Sequence, residues 1–233
     1  GIVWAVSEDS KRLLRLDPAR NRITRWPIPN AAYPGDGGIV SALEGFLWIG
    51  DRPGNTIHRF DAKRGRFSAF ALPFENGPWD IGVDVHGTLW MTVGNVVDTG
   101  EGGPFPALAE LSDNLTYYEL PLSFTDPEVV RGDSLGRIWC VSYSSHRIGV
   151  LDPWSRKFVW HVLPFIPSGS TEGLALDPDG NVWFSNKGTN YVGMIPKAAH
   201  HTLYFPLFMV AGGLGSRLSL TNPHNEAATV EIF

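Results

Sequence analysis

The stretch Gly180-Asn181-Val182-Trp183-Phe184-Ser185 decides the fold, because the chain takes its Gly-to-Trp step five times. A tryptophan stands three residues after Gly1, Gly45, Gly87, Gly136 and Gly180, at Trp4, Trp48, Trp90, Trp139 and Trp183. These tryptophans are 44, 42, 49 and 44 residues apart. A fixed period of this size marks a repeat architecture, in which each unit buries its apolar faces against its neighbours.

The rest of the unit can be read outward from the tryptophan. Twelve residues after four of them stand Leu16, Phe60, Leu151 and Ile195, each opening a turn, with Asp17-Pro18 and Asp152-Pro153 at two of these places. The units close on apolar-proline steps at Ile28-Pro29, Leu72-Pro73, Leu120-Pro121, Leu163-Pro164 and Phe205-Pro206. Runs such as Gly173 to Leu176, Asn181 to Ser185 and Tyr191 to Ile195 have strand length and are too short for helices. One unit therefore reads as four strands, and a four-stranded unit of about 44 residues is a propeller blade. The expected fold is all-β, a β-propeller of four-stranded blades with about five repeats visible. The aligned tryptophans should pack between neighbouring blades at equivalent buried places.

Gly1 sits at the turn before a second strand, so the first blade should lack its innermost strand, and we read the chain as N-terminally truncated. The repeat spans residues 1–200. After it, Gly212-Gly213-Leu214-Gly215 leads into two further strand-like runs, so residues 201–233 read as the start of a C-terminal β domain or tail.

Composition agrees with this class. The 233 residues are 43% hydrophobic and only 18% charged, with 26 glycines and 18 prolines, which suits short strands joined by tight turns. The net charge of -5 argues against a broad electrostatic grip on nucleic acid or an anionic membrane. The basic run from Lys11 to Arg25 reads as the solvated outer face of a blade. The single cysteine, Cys140, excludes an internal disulfide. No apolar run is long enough to span a membrane as a helix.

The units Gly180 to Ser185 and Arg147-Ile148-Gly149-Val150-Leu151-Asp152-Pro153, with the Leu-Pro steps, resemble the repeats of the virginiamycin B lyase family over roughly residues 1–197. The resemblance implies a streptogramin-opening activity that uses histidines at the start of the innermost strands and acidic magnesium ligands nearby. The matching histidine places hold Gly37, Trp79, Glu128 and Glu172, and the partner places in the last full blade hold Ser170 and Asn186. A lyase needs a base and a cation for the developing anion, so whether the chain is an enzyme stays open at this point.

Blades gather their fourth-to-first and second-to-third connections on one face, around the channel mouth. That face should carry Asp51, Arg52, Trp79, Asp80, His146 and Lys187 as ligand-binding candidates, with Asp36 beside them. Glu128 and Glu172 stand at equivalent places in consecutive blades. With Asn186 they form a candidate oxygen site for magnesium or calcium; the structural alternative is pairing with Arg131, Lys187 or loop amides. His146 stands where other blades have Asn55 and Asn190, which suggests a turn position before a general base. The connection from Trp90 to Leu111 runs 21 residues instead of 12, and its Gly100, Gly102, Gly103, Pro104 and Pro106 suggest an overhanging loop. The expected function is a secreted or periplasmic module binding a small molecule, glycan or protein partner at this face. The alternative is a metal-dependent lyase or lactonase-type hydrolase.

Overall fold

A computed structural model describes residues 1–41, 45–73, 77–96, 105–112, 114–163, 170–187 and 191–197. The first sheet holds β1 (Val3–Ser7), β2 (Arg12–Asp17) and β3 (Arg22–Pro27), with a 3-10 turn at Pro18–Arg20. The second holds β4 (Ile39–Ser41), β5 (Phe46–Asp51), β6 (Thr56–Asp61) and β7 (Arg66–Ala71). The third holds β8 (Ile81–Val83), β9 (Leu89–Val96), β10 (Phe105–Leu111) and β11 (Leu115–Glu119). The fourth holds β12 (Pro127–Gly132), β13 (Ile138–Ser142), β14 (Arg147–Asp152) and β15 (Lys157–Val162). The fifth holds β16 (Thr171–Leu176), β17 (Val182–Asn186) and β18 (Tyr191–Ile195). Strands within each sheet follow chain order and pair antiparallel, which is the blade expected from the repeat. The first sheet runs β1-β2-β3 and begins with the tryptophan strand β1.

The glycine before each tryptophan strand has a backbone reason. Gly45, Gly87, Gly136 and Gly180 all have φ between 78° and 87°, a conformation that side chains with a Cβ disfavour. The turn then delivers the tryptophan in a fixed register. Trp4 faces Arg15, Trp48 faces Arg59, Trp139 faces Val150 and Trp183 faces Met194, each eleven residues on. In the third blade Trp90 faces Glu110, so the longer connection is absorbed between β9 and β10 without moving the register. Part of that connection is strand: β9 reaches Val96 and pairs it with Phe105, with an irregularity before Ala107. Gly100, Gly102, Gly103 and Pro104 lie outside the described residues.

Period-two alternation gives each blade two apolar faces. Leu13 and Ile28 of the first blade meet Leu47, Ile49 and Phe60 of the second. Trp48, Ile57 and Leu72 meet Ile81, Leu89 and Met91 of the third. Trp90 and Leu108 meet Val130, Ile138 and Cys140 of the fourth, and Trp139 and Val141 meet Leu174, Val182 and Phe184 of the fifth. In strand β5, Leu47 and Ile49 face backward while Trp48 faces forward. The blades touch backbone to backbone near the axis. A Cβ on Gly82 would stand 2.6 Å from the Val130 carbonyl oxygen, and one on Gly132 would stand 2.6 Å from Asp84 Cα.

The tryptophans occupy equivalent places, but their burial differs. Trp90 and Trp139 are fully enclosed, whereas Trp183 is 40% exposed. The reason is position: each tryptophan faces the following blade, and the described residues place no blade beyond the fifth. The boundary read at residue 200 and the segment 201–233 lie outside the described residues, as do Asn190 and the histidines of that segment.

Candidate functional site

Among the described residues, the mouth is built from the connections after β3 and β11, the turns after β5 and β13, and the residues flanking β8, β16 and β17. Two buried aspartates brace it. Asp51 ends β5 and is fully buried. It accepts from Ala32 N (2.7 Å), Tyr33 N (2.9 Å) and Gly54 N (3.1 Å), and lies 3.5 Å from His58 Nε2. Its carboxylate thus ties two loops together rather than facing the mouth. His58 is pushed below its ordinary pKa by burial, against the pull of Asp51.

Asp80 precedes β8 and reaches the next blade, accepting from Val130 N (3.0 Å) and from the Arg131 guanidinium. Burial raises its pKa, with Arg131 opposing. Thr92 adds a second tie, donating its backbone N–H to the Asp80 carbonyl and its hydroxyl to the Glu128 carbonyl at 3.2 Å.

Trp79 and Arg52 form one unit above these braces. The Arg52 guanidinium lies 4.1 Å from the Trp79 ring centroid and donates twice to Asp36, at 3.0 and 3.2 Å. The ring edge rests on Gly94, where a Cβ would stand 2.9 Å from the indole nitrogen. Trp79 remains 43% exposed. Aromatic and guanidinium planes stacked this way are held at fixed orientation.

Glu128 and Glu172 do share the mouth. Their strands β12 and β16 lie side by side, and the Glu172 charge, after burial, raises the pKa of Glu128. Glu172 itself is lowered, first by the Ser170 hydroxyl (2.7 Å) and then by Lys187 Nζ (3.2 Å). The repulsion therefore falls on Glu128, because Glu172 already has donors that hold it ionised. Glu128 has no hydrogen-bond or ion-pair partner for its carboxylate among the described residues. Lys187 is raised in pKa by Glu172 and stays mostly exposed. Asn186 is buried at the end of β17, opposite Thr171. Among the described residues, no group of three or more His, Cys, Asp or Glu gathers in a metal-holding arrangement.

His146 sits in the turn after β13 with φ 51°, and its carbonyl accepts from Leu163 N at 2.9 Å. Asn55 does the same in the second blade, with φ 46° and a bond from Leu72 N at 2.7 Å. This is the turn position read from the sequence. At Gly37, one of the places matched to a family histidine, a Cβ would stand 2.7 Å from the Pro78 carbonyl oxygen. That backbone has no room for any side chain.

Sequence reasoning missed one repeated device. Asp84, Asp133 and Asp177 each accept from the indole N–H of the tryptophan six residues on, at 3.1, 2.9 and 2.9 Å. Each also takes backbone N–H groups of the intervening turn: His86 and Thr88, Leu135 and Arg137, and Asn181. The signal was present as Asp-x-x-Gly-x-x-Trp; the second blade has Ala42 at that place.

Fold and mouth together define a β-propeller with its candidate site on the loop-bearing face. The virginiamycin B lyase family matches residues 1–209, and the chain belongs to that family. Among solved structures, a streptogramin B lyase superposes with a TM-score of 0.71 at 22% identity, covering 85% of this chain and 63% of that one. The chain thus spans less than two thirds of that lyase's length. A nidogen/laminin complex matches with a TM-score of 0.65 at 16% identity, over 84% of this chain and 72% of that one. The extracellular domain of a one-component system from B. thetaiotaomicron matches with a TM-score of 0.59 at 16% identity, over 84% and 28%. No curated protein matches the chain.

Proposed function

We propose that the mouth is a recognition site that holds a small molecule, a glycan or a protein partner against the Trp79 ring and the Glu128 carboxylate. The carrying observation is a contrast among the carboxylates there. Asp36, Asp51, Asp80 and Glu172 are each bonded within the chain, while half-buried Glu128 is not. A desolvated acceptor without a partner, near an exposed aromatic ring held in place by an arginine, is the arrangement of a ligand site. An extracellular or periplasmic setting belongs to the same proposal, supported by the extracellular domain among the structural neighbours.

A magnesium or calcium ion is part of this reading. Glu128 and Glu172 would supply hard carboxylate oxygens and Asn186 an amide oxygen. The ion would compete with Lys187 for Glu172, so the expected affinity is weak. Calorimetric titration with each ion should give heat for the wild-type chain and none for the Glu128→Gln, Glu172→Gln double variant. Equal heats from both would remove the ion. In a thermal-shift screen of glycans and streptogramin B compounds, Trp79→Ala and Glu128→Gln should each weaken any ligand by about tenfold or more. A ligand bound equally by both variants would move the site elsewhere.

A metal-dependent lyase or lactonase-type hydrolase is the second reading. It draws on family membership and on the raised pKa of Glu128, which suits a group that takes a proton. Mass spectrometry of a streptogramin B incubated with the chain separates the two. A ring-opened product that disappears with Glu128→Gln would replace recognition by catalysis.

A further inference from the structure

We infer that the ligand of the mouth is a small organic cation, a protonated amine seated against the Glu128 carboxylate with its apolar part on the Trp79 ring. The inference rests on the mouth being a recognition site, as proposed above, and narrows what it recognises. Trp79 and Glu128 are tied through one residue, Thr92. The Trp79 backbone N–H donates to the Thr92 carbonyl at 3.1 Å, and the Thr92 hydroxyl donates to the Glu128 carbonyl at 3.2 Å. Arg52 lies over one face of the Trp79 ring, and its charge also acts on Glu128. A second exposed ring stands nearby: Tyr143, in the turn after β13, is 37% exposed and acts on the charge of Lys187.

The charges around this point do not balance. Asp36 is paired with Arg52, Asp80 with Arg131 and Glu172 with Lys187. In the first blade, Glu8 and Asp9 are matched by Lys11 and Arg12. Asp51 is closed off by backbone amides, and Asp126 accepts from the Ser144 hydroxyl at 2.6 Å. Those two and Glu128 are therefore offset only by Arg147, whose guanidinium donates to the Ser123 carbonyl. Between residues 74 and 190, the chain outside the described residues holds Glu75, Asp98, Glu101 and Asp113 and no Lys or Arg, so no cation there reverses the sign.

This selects the class of ligand. Arg52, Arg131 and Lys187 each already hold a carboxylate, while the group left open, Glu128, is an acceptor. Its complement must donate. The hydroxyl of a neutral glycan would do so, but would leave the Glu128 charge uncompensated against Glu172, Asp126 and Asp80. A divalent ion needs several hard oxygens, and Glu172 is already engaged by Ser170 and Lys187. An ammonium group is satisfied by one carboxylate and neighbouring aromatic rings. It would compete with a divalent ion for Glu128.

The test is calorimetry and ligand-observed NMR of the 233-residue chain with two matched pairs of probes, tyramine against 4-ethylphenol and glucosamine against glucose. At pH 7 and low salt, each amine should bind about tenfold or more tightly than its neutral partner, the strength of a hydrogen bond to a charged group. Glu128→Gln should erase that preference, with a melting temperature no lower than that of the wild type showing that the fold is intact. Trp79→Ala should weaken tyramine and 4-ethylphenol alike, severalfold. Equal binding of amine and neutral partner, lost in Trp79→Ala, overturns the cation and leaves the recognition site standing. Amine binding that survives Glu128→Gln, or no binding of either amine, also overturns the inference. Binding of all the probes that neither substitution weakens removes the recognition site as well.

Discussion

Carboxylates at the two ends of the blades are in opposite circumstances. At the turn end, Asp133 sits at the head of its own tryptophan strand and is surrounded by donors from its own unit. Burial pushes its pKa up, but the Trp139 indole and the Arg137 amide and guanidinium outweigh this and hold it low. At the mouth, Glu128 is raised by burial and by Glu172, with Arg52 opposing. The same blade thus carries one carboxylate that the fold wants charged and another that it does not. The first kind is built by the repeat and recurs at Asp84 and Asp177, whereas at the mouth the equivalent places carry Glu128 without a partner among the described residues and Glu172 with two donors.

The largest effect that tests this contrast is on the tryptophan held by the turn-end device. Trp139→Ala should destabilise the chain by about 3–5 kcal/mol, the range for truncating an enclosed aromatic. Trp183→Ala removes the same indole bond but far less buried surface, and should cost about 1–2 kcal/mol. Urea denaturation followed by circular dichroism measures both, and equal costs would mean that the bond to aspartate, and not burial, carries the tryptophan.

Next in size is Asp133→Ala, which strands the indole N–H and two turn amides and should cost about 1–3 kcal/mol. Its pH dependence has a definite sign. A lowered folded pKa contributes stability above the ordinary value of 3.8 that is lost as pH falls through the folded value. Asp177, held at about 2, should lose its contribution between pH 3.8 and about 2. Acid denaturation of the wild type should therefore be steeper over that interval than that of a Asp133→Ala, Asp177→Ala double variant.

The smallest effect has the opposite sign. Because Glu128 is raised above 4.5, its ionisation in the folded chain weakens stability as pH rises through the raised value. Glu128→Gln should stabilise the chain at pH 7 by a few tenths of a kcal/mol, since its part exposure screens the repulsion, and should have no effect below about pH 4. Thermal melts at pH 4 and pH 7 check this. A loss of stability at pH 7 would mean that the carboxylate has a structural partner.

Much of the fold was legible because local rules set it. The glycine at 45, 87, 136 and 180 is required by a positive φ, and the tryptophan register follows from that turn. The exposure of Trp183 was not legible, since burial depends on the neighbouring blade and not on the residue's own unit. At the mouth, the repeat makes the strands of Glu128 and Glu172 neighbours, which is why the two charges act on each other. The inward role of Asp51 was hidden: its bonds reach 18 and 19 residues back along the chain, to amides whose position is set by loop geometry. The aspartates of the Asp-x-x-Gly-x-x-Trp step were readable in principle and were passed over in favour of the glycine and tryptophan.

Each of the four apolar clusters joins two consecutive blades, and no cluster among the described residues spans three. Cohesion is therefore passed only between neighbours, as in a one-dimensional chain of coupled units. In such a system, amide protons of a blade packed on both faces exchange through rarer openings than those of a blade packed on one. The fourth blade, flanked on both sides and holding the fully enclosed Trp139 and Ile138, is where the slowest exchange belongs, and the mouth residue Glu128 rides on its innermost strand.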